Sequence, residues 1–521
     1  MGQVTLPGGS GGAVTIPGTS SEVTQLADQI NAALQAASTV VSTNASGNGP
    51  YPAPPTVPAG GVSELVITGP ITGPISIPAG YQYVIINDPG DPNPVTVTGS
   101  NAVIVSNNTT SGSVYNVTGA STVLAAGGNN DFNLGTGSSY DVVSGPGNDT
   151  VFANGSGTIK PGGGTNIIVD PNSNLIVSTG TNDFILASAG STSIQSSGPG
   201  VQVLGGSGDT MFVTLSGANA VVGGNGAAVN LNITSVASGA NILAGTGTLS
   251  LNDQGTSDSI GAQSNSSASV TLGGSKALLF GGSGTQVTLG GSSNTVVAGS
   301  SGAETVTATT GGWIWGQKSL TFNGGTATST IVGGVSGSEQ MNVGSGGLFF
   351  IAQSGNAATV NGGAGSTTLF GSSNSTITFS GSKGPAIFLA GAGNETLNAA
   401  GSSTANTIVG GSGSASVVGG SGNDVFQPGA GAMTITTGAG NDALAFFKSA
   451  TSGAHDFITD FDPTKDSLFL LGYDSTKSVT SLLNSATTNS SGVTLTLSDN
   501  TQITFSNLTN ATQLAGKTLY G

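Results

Sequence analysis

Cysteine and arginine are both absent, and charge of either sign is scarce: the only basic side chains are eight lysines and one histidine, against 24 acids, in 521 residues. Without cysteine there are no disulfides, no thiolate metal ligands and no cysteine nucleophile. Without arginine, with scattered lysines and a net charge of −16, the chain lacks the basic patch that DNA, RNA or anionic lipid requires. The first lysine is Lys160, so the N-terminus has no positive n-region for a secretory signal, and Leu6 stands where a myristoylation motif needs Ser or Thr. No apolar run approaches the roughly 18 residues of a membrane span. The expectation is a chain without a membrane span that is either cytoplasmic or exported by a route reading no N-terminal signal.

What is present is glycine, 89 residues of it, with Ser, Thr, Asn, Val and Ala filling most of the rest. The length exceeds the roughly 250–300 residues of one compact core, which points to several domains or an elongated repeat array. Residues 1–19 read as extended. Residues 20–41 carry Val23, Leu26, Ile30 and Leu34 at helical spacing behind Ser20 and Ser21 as caps, with Glu22 in the first turn. Such a helix would serve as a lid over the first solenoid turn, or as a docking element for another copy. The stretch 42–60, STNASGNGPYPAPPTVPAG, reads as a semi-rigid Pro-rich connector.

From Val62 onward short β-branched runs alternate with Gly or Pro: ELVITG, ISIPAG, YVIIND, VTVTG, AVIVSN. The period then becomes explicit. GGSGTQVTL, GGSSNTVVA and GSSGAETVT start at 281, 290 and 299, and GGSGNDVFQ, PGAGAMTIT and TGAGNDALA follow one another from 419. Nine residues of Gly turn plus strand make half a coil, so about 18 make a turn of a right-handed parallel β-solenoid, about 20 turns in all. The predicted organisation is an N-terminal segment with helix and linker (1–60), a solenoid (61–450) and a C-terminal β cap (451–521).

Gly419–Gln427 and Thr437–Ala445 resemble the unit of the RTX, or haemolysin-type calcium-binding, repeat family, with Asp424 and Asp442 at the aspartate position. Asp131 in GGNNDF and Asp149 in SGPGNDTVF repeat the 18-residue offset. The resemblance implies Ca2+ held at the roll edge by these four aspartates, with turn carbonyls of Gly420, Gly422, Gly438 and Gly440 completing the oxygens. Gln286, Thr295, Glu304 and Met433 occupy the aspartate position elsewhere, so the middle is expected to be metal-free. Asp170, Asp183 and Asp209 read as turn caps. The segments His455–Asp474 and Gly492–Asn510, the latter a hairpin turning at Asp499-Asn500, are similar to the RTX tail, which implies type I secretion.

No catalytic set emerges. The acids are sparse, His455 is the only histidine, and no HExxH motif exists. Trp313 and Trp315, two apart on one strand face, read as core or inter-coil packing first and as a sugar-stacking platform second. The functional expectation is a non-enzymatic, secreted, calcium-stabilised structural protein. It would form a homo-oligomer or polymer as a surface layer, sheath, matrix fibre or filament. Alternatives are a cytoplasmic filament and an adhesin for a polysaccharide or cell surface.

Overall fold

A computed structural model describes residues 2–521 except 8–11, 92–94, 235, 263–266, 283, 301, 382, 449–452, 475 and 477. The chain is a parallel β-solenoid of about 21 turns with two helices, divided into two compact units, residues 1–266 and 267–521. In each unit the coils, the first excepted, contribute one strand to each of two parallel sheets, and each strand pairs with its counterpart one coil away. Strand alternation sends one residue set inward. In the second unit Ile331, Phe350, Leu369, Phe388 and Ile408 stack in register, all with 0% exposure.

The coil is not a uniform 18 residues. Inter-coil hydrogen bonds join residues 17, 18, 19 or 20 apart. The strands hold register because their inward residues must stack, and length variation is absorbed in the Gly-rich turns.

The N-terminal region departs from the expected division. Strands β1 (Gln3–Pro7) and β2 (Ala13–Pro17) form an antiparallel hairpin. Helix α1 (Ser21–Ala36) follows, its cap Ser20 accepting from the Val23 N–H at 3.1 Å. The helix does not lid the first turn. It lies along the outer face of the first sheet, where Leu26, Ile30 and Leu34 meet Val66, Ile85, Val105, Leu124 and Val143, one residue from each of five successive coils.

Parallel pairing already begins at β3 (Val40–Ser46), which pairs with β4 (Val62–Thr68) over seven residues. The Pro-rich stretch between them is therefore the return side of the first coil rather than a linker. Its proline nitrogens cannot donate, so it forms no strand, but its carbonyls accept: the Tyr81 hydroxyl donates to Pro52 O at 3.2 Å.

At the other end both sheets continue past the predicted 450/451 boundary, which itself lies outside the described residues. His455–Ile458 extends the first sheet and Ser467–Leu471 the second. The terminal hairpin forms as read, Gly492–Thr496 against Gln502–Phe505, with Asn500 at φ +65° in its turn. Helix α2 (Val479–Asn484) precedes it.

Candidate functional site: the corner ladder and the outer faces

The polar residues that matter occupy one repeating position, two before each core residue, where a turn enters a strand. Before the core rungs Phe132, Val151, Ile168 and Ile185, this position holds Asn130, Asp149, Asn166 and Asp183, all buried. Each side-chain oxygen accepts the backbone N–H of the residue one coil earlier: Asn130 N–H to Asp149 Oδ1 at 2.7 Å, Asp149 N–H to Asn166 Oδ1 at 2.9 Å, Asn166 N–H to Asp183 Oδ1 at 2.8 Å. The second unit repeats it, with Ala277 N–H to Asn294 at 2.9 Å, Asn406 N–H to Asp424 at 2.7 Å, and Asp424 N–H to Asp442 at 2.7 Å. Asn and Asp interchange at this position because an amide and a carboxylate offer the same acceptor there. An amide N–H left unpaired at a buried corner would cost about 1–3 kcal/mol.

This geometry separates the sequence-predicted ligands. Asp131 and Asp149 are not brought together: the coil between them is 19 residues, Asp131 pairs opposite Thr150 on the exposed outer face, and Asn130 is the counterpart of Asp149. A one-residue offset in a strand moves a side chain to the other face. The same offset corrects the 281–307 block, where Thr285 and Asn294 fill the corner rather than Gln286 and Thr295. Asp424 and Asp442 do occupy adjacent rungs. Gly438 sits over Gly420 and Gly440 over Gly422; a Cβ on Gly438 or Gly440 would fall 2.3 or 2.2 Å from the carbonyl oxygen beneath, so only glycine stacks there.

As calcium ligands these residues divide again. Both oxygens of Asp424 already face donors, Asn406 N–H and Nδ2 on one, Gly420 N–H at 2.7 Å on the other. Asp149 is likewise taken up by Asn130 and the Ser144 hydroxyl. Among the described residues no group of three or more His, Cys, Asp or Glu side chains is arranged to hold a metal. Asp442 is the exception in character: Oδ1 accepts from Asp424, but Oδ2 is buried without a partner. Burial, together with nearby Asp466, Asp424 and Asp460, pushes its carboxyl up to about 6. Of the four predicted aspartates only Asp442 keeps such an oxygen, with Asp460 and Asp466, absent from the predicted set, as its neighbours.

Asp170 and Asp183 cap turns, Asp170 accepting from Asn172 N–H at 2.9 Å and Asp183 also from the Ser178 hydroxyl at 2.6 Å. Asp209 accepts the Thr210 N–H at 2.8 Å and leaves Oδ2 buried without a partner. The first sheet has equivalent corner acids: Glu304 accepts Gly299 N–H at 2.8 Å, Glu339 accepts Gly334 N–H at 2.8 Å, and Asp456 accepts Met433 N–H at 2.7 Å. Burial pushes Glu304 and Asp456 up to about 7. His455 is held by Thr504 at 2.8 Å and stacks on Phe457.

The outer faces differ in kind. In the second unit the first sheet presents Thr305, Thr321, Gln340, Thr359, Thr378 and Thr396 in register, beside an Asn column in which Asn342 donates to Asn323 and Asn361 to Asn342, both at 2.8 Å. The second sheet carries an outward apolar column, one residue per coil for eight coils from Phe280 to Val409, in which Phe280 and Trp315 are exposed, Val332 is buried among its neighbours and Val297, Ile351, Phe370, Leu389 and Val409 are half-buried. Trp313 and Trp315 are therefore not core residues. Ile314 between them takes the inward position, and the two indoles stand outside, 49% and 43% exposed, stacked at 6.3 Å.

These features define a parallel β-solenoid with a corner hydrogen-bond ladder and two unlike outer faces. No family model, curated protein or solved structure matches the chain.

Proposed function

We propose that this chain is a secreted structural protein that self-associates into an extracellular layer, sheath or fibre, with calcium stabilisation confined to the Asp442 edge. The observation that carries the reading is the placement of the polar groups. The corner acids and amides accept turn amides coil after coil. They serve the continuation of the stack. Solenoids present long regular surfaces, and length with repetition suits an assembling component. The resemblance of residues 419–521 to RTX repeats and tail supports export by type I secretion and an extracellular calcium response.

Electron microscopy of the purified full chain over a concentration series tests assembly; dispersed monomers throughout would remove it. Melting with calcium and then with chelator tests the ion. The expected result is a higher Tm with calcium that Asp442→Asn abolishes and Asp131→Asn leaves intact. Equal melting in both buffers would remove calcium from the reading, and a protein found only in the cytoplasm would remove export. A second reading, attachment to polysaccharide, is favoured by the exposed, near-parallel pair Trp313 and Trp315, since exposed indole faces suit sugar rings.

A further inference from the structure

The outer face of the second sheet in the second unit is a surface whose partner can be argued. It is apolar along one whole column, Phe280 to Val409, and the adjacent column alternates Thr with apolar residues, Trp313, Phe349 and Ile387 among them. Its strands from Leu278–Phe280 to Val425–Gln427 contain no charged residue. The molecule shows what such a column requires. In the first unit the outward column Val66, Ile85, Val105, Leu124 and Val143 is covered by α1 and its hairpin, whereas among the described residues no element covers the column from Phe280 to Val409.

We propose that this face is covered by the same face of a second copy of the chain, rung against rung. This rests on the self-association reading above and names the surface responsible. Three properties of the face select a second copy. The ridges repeat at the inter-strand spacing of about 4.8 Å, and a second copy brings the identical spacing, so outward side chains interdigitate along the whole length as in a dry sheet-to-sheet interface. A globular partner has no such period. Next, two copies each carrying −16 repel, so close approach is cheapest through a face without charge. Finally, eight rungs and two columns cover on the order of 500 Å² per copy, about 1,000 Å² per pair, which reaches the threshold for a specific interface.

The chain reports on this face directly, because Trp313 and Trp315 are its only tryptophans. Sedimentation velocity and tryptophan emission of the full chain over a concentration series form the test, repeated in about 1 M salt. The expected result is association accompanied by a blue shift, undiminished by salt. The Trp315→Glu/Leu389→Glu variant should associate at least about tenfold more weakly, with its melting largely retained because both side chains stand on the outer face and outside the core column. Thr359→Glu/Thr378→Glu, on the opposite sheet, should associate as wild type does.

Association without a blue shift and unaffected by Trp315→Glu/Leu389→Glu overturns the face while leaving self-association standing. A chain monomeric throughout overturns both. A monomer whose tryptophan emission shifts with soluble polysaccharide overturns the proposal in favour of sugar attachment. The blue shift decides the matter even if the double variant fails to fold.

Discussion

At the scale of single residues the recurring motif is an Asn or Asp, or on the first sheet a Glu, two positions before a core residue, taking up a backbone N–H at a buried corner. A carboxylate does this at an electrostatic cost, because burial disfavours its charged form. Glu304 shows the sign. Its pKa is pushed up to about 7, above the usual value near 4.3 for an unfolded chain. The folded protein therefore holds that proton more tightly, and the contribution is fully present below about pH 4 and lost as pH rises through about 7. Glu304→Gln keeps an acceptor for the Gly299 N–H and removes the charge. Its Tm should exceed wild type at pH 8 and approach it at pH 5; a lower Tm at pH 8 would show that the carboxylate is worth more than its burial costs. Asp131, by contrast, faces water, and its substitution by Asn should leave the melt unchanged.

At the scale of elements the N-terminal helix is the instructive case. Its amphipathic pattern and Ser20 cap are legible in its own residues, whereas its position is legible only in the strands it covers. Strands in the first coils run LVI, VII, VIV and VLA, apolar on both faces, while later strands such as QVTL and LTFN alternate. A continuous apolar run marks a strand buried on both sides. The strands that α1 covers are of this kind. Leu34→Ala should weaken helix docking by about 2–5 kcal/mol and raise amide exchange across 21–36 before the coils respond. Unchanged protection in that segment would mean the helix contributes little to its own anchoring. The Pro-rich stretch reads as a linker by composition, yet the β3–β4 pairing forces it to be one side of a coil.

Across the whole chain the acids outnumber the bases threefold, and most of the buried ones lie above their ordinary pKa. Burial pushes Asp149 and Asp209 to about 6 and Asp258, with Asp253 beside it, to about 7. All have the same sign. These contributions are fully present below about pH 4 and are lost as pH rises from there through about 7, so native stability should decline across that window and level off above it, the reverse of a protein held by salt bridges. Chemical denaturation midpoints at pH 5 and pH 8 measure this; a higher midpoint at pH 8 would contradict the burial of these groups.

The sequence by itself determined the solenoid, the nine-residue half-coil, the α1 cap and the terminal hairpin, because turn glycines and period-two apolar residues are local signals. Only the tertiary structure decided which face each polar residue takes. The coil length ranges from 16 to 24 residues, and a drift of one residue turned Asp131 outward while leaving Asp149 inside. It also decided that Trp313 and Trp315 stand outside, since Ile314 had to complete the core column between Val296 and Ile331. Spacing along a chain counts residues, whereas a ligand site or a binding face depends on register between coils, and that is settled by which side chains can stack.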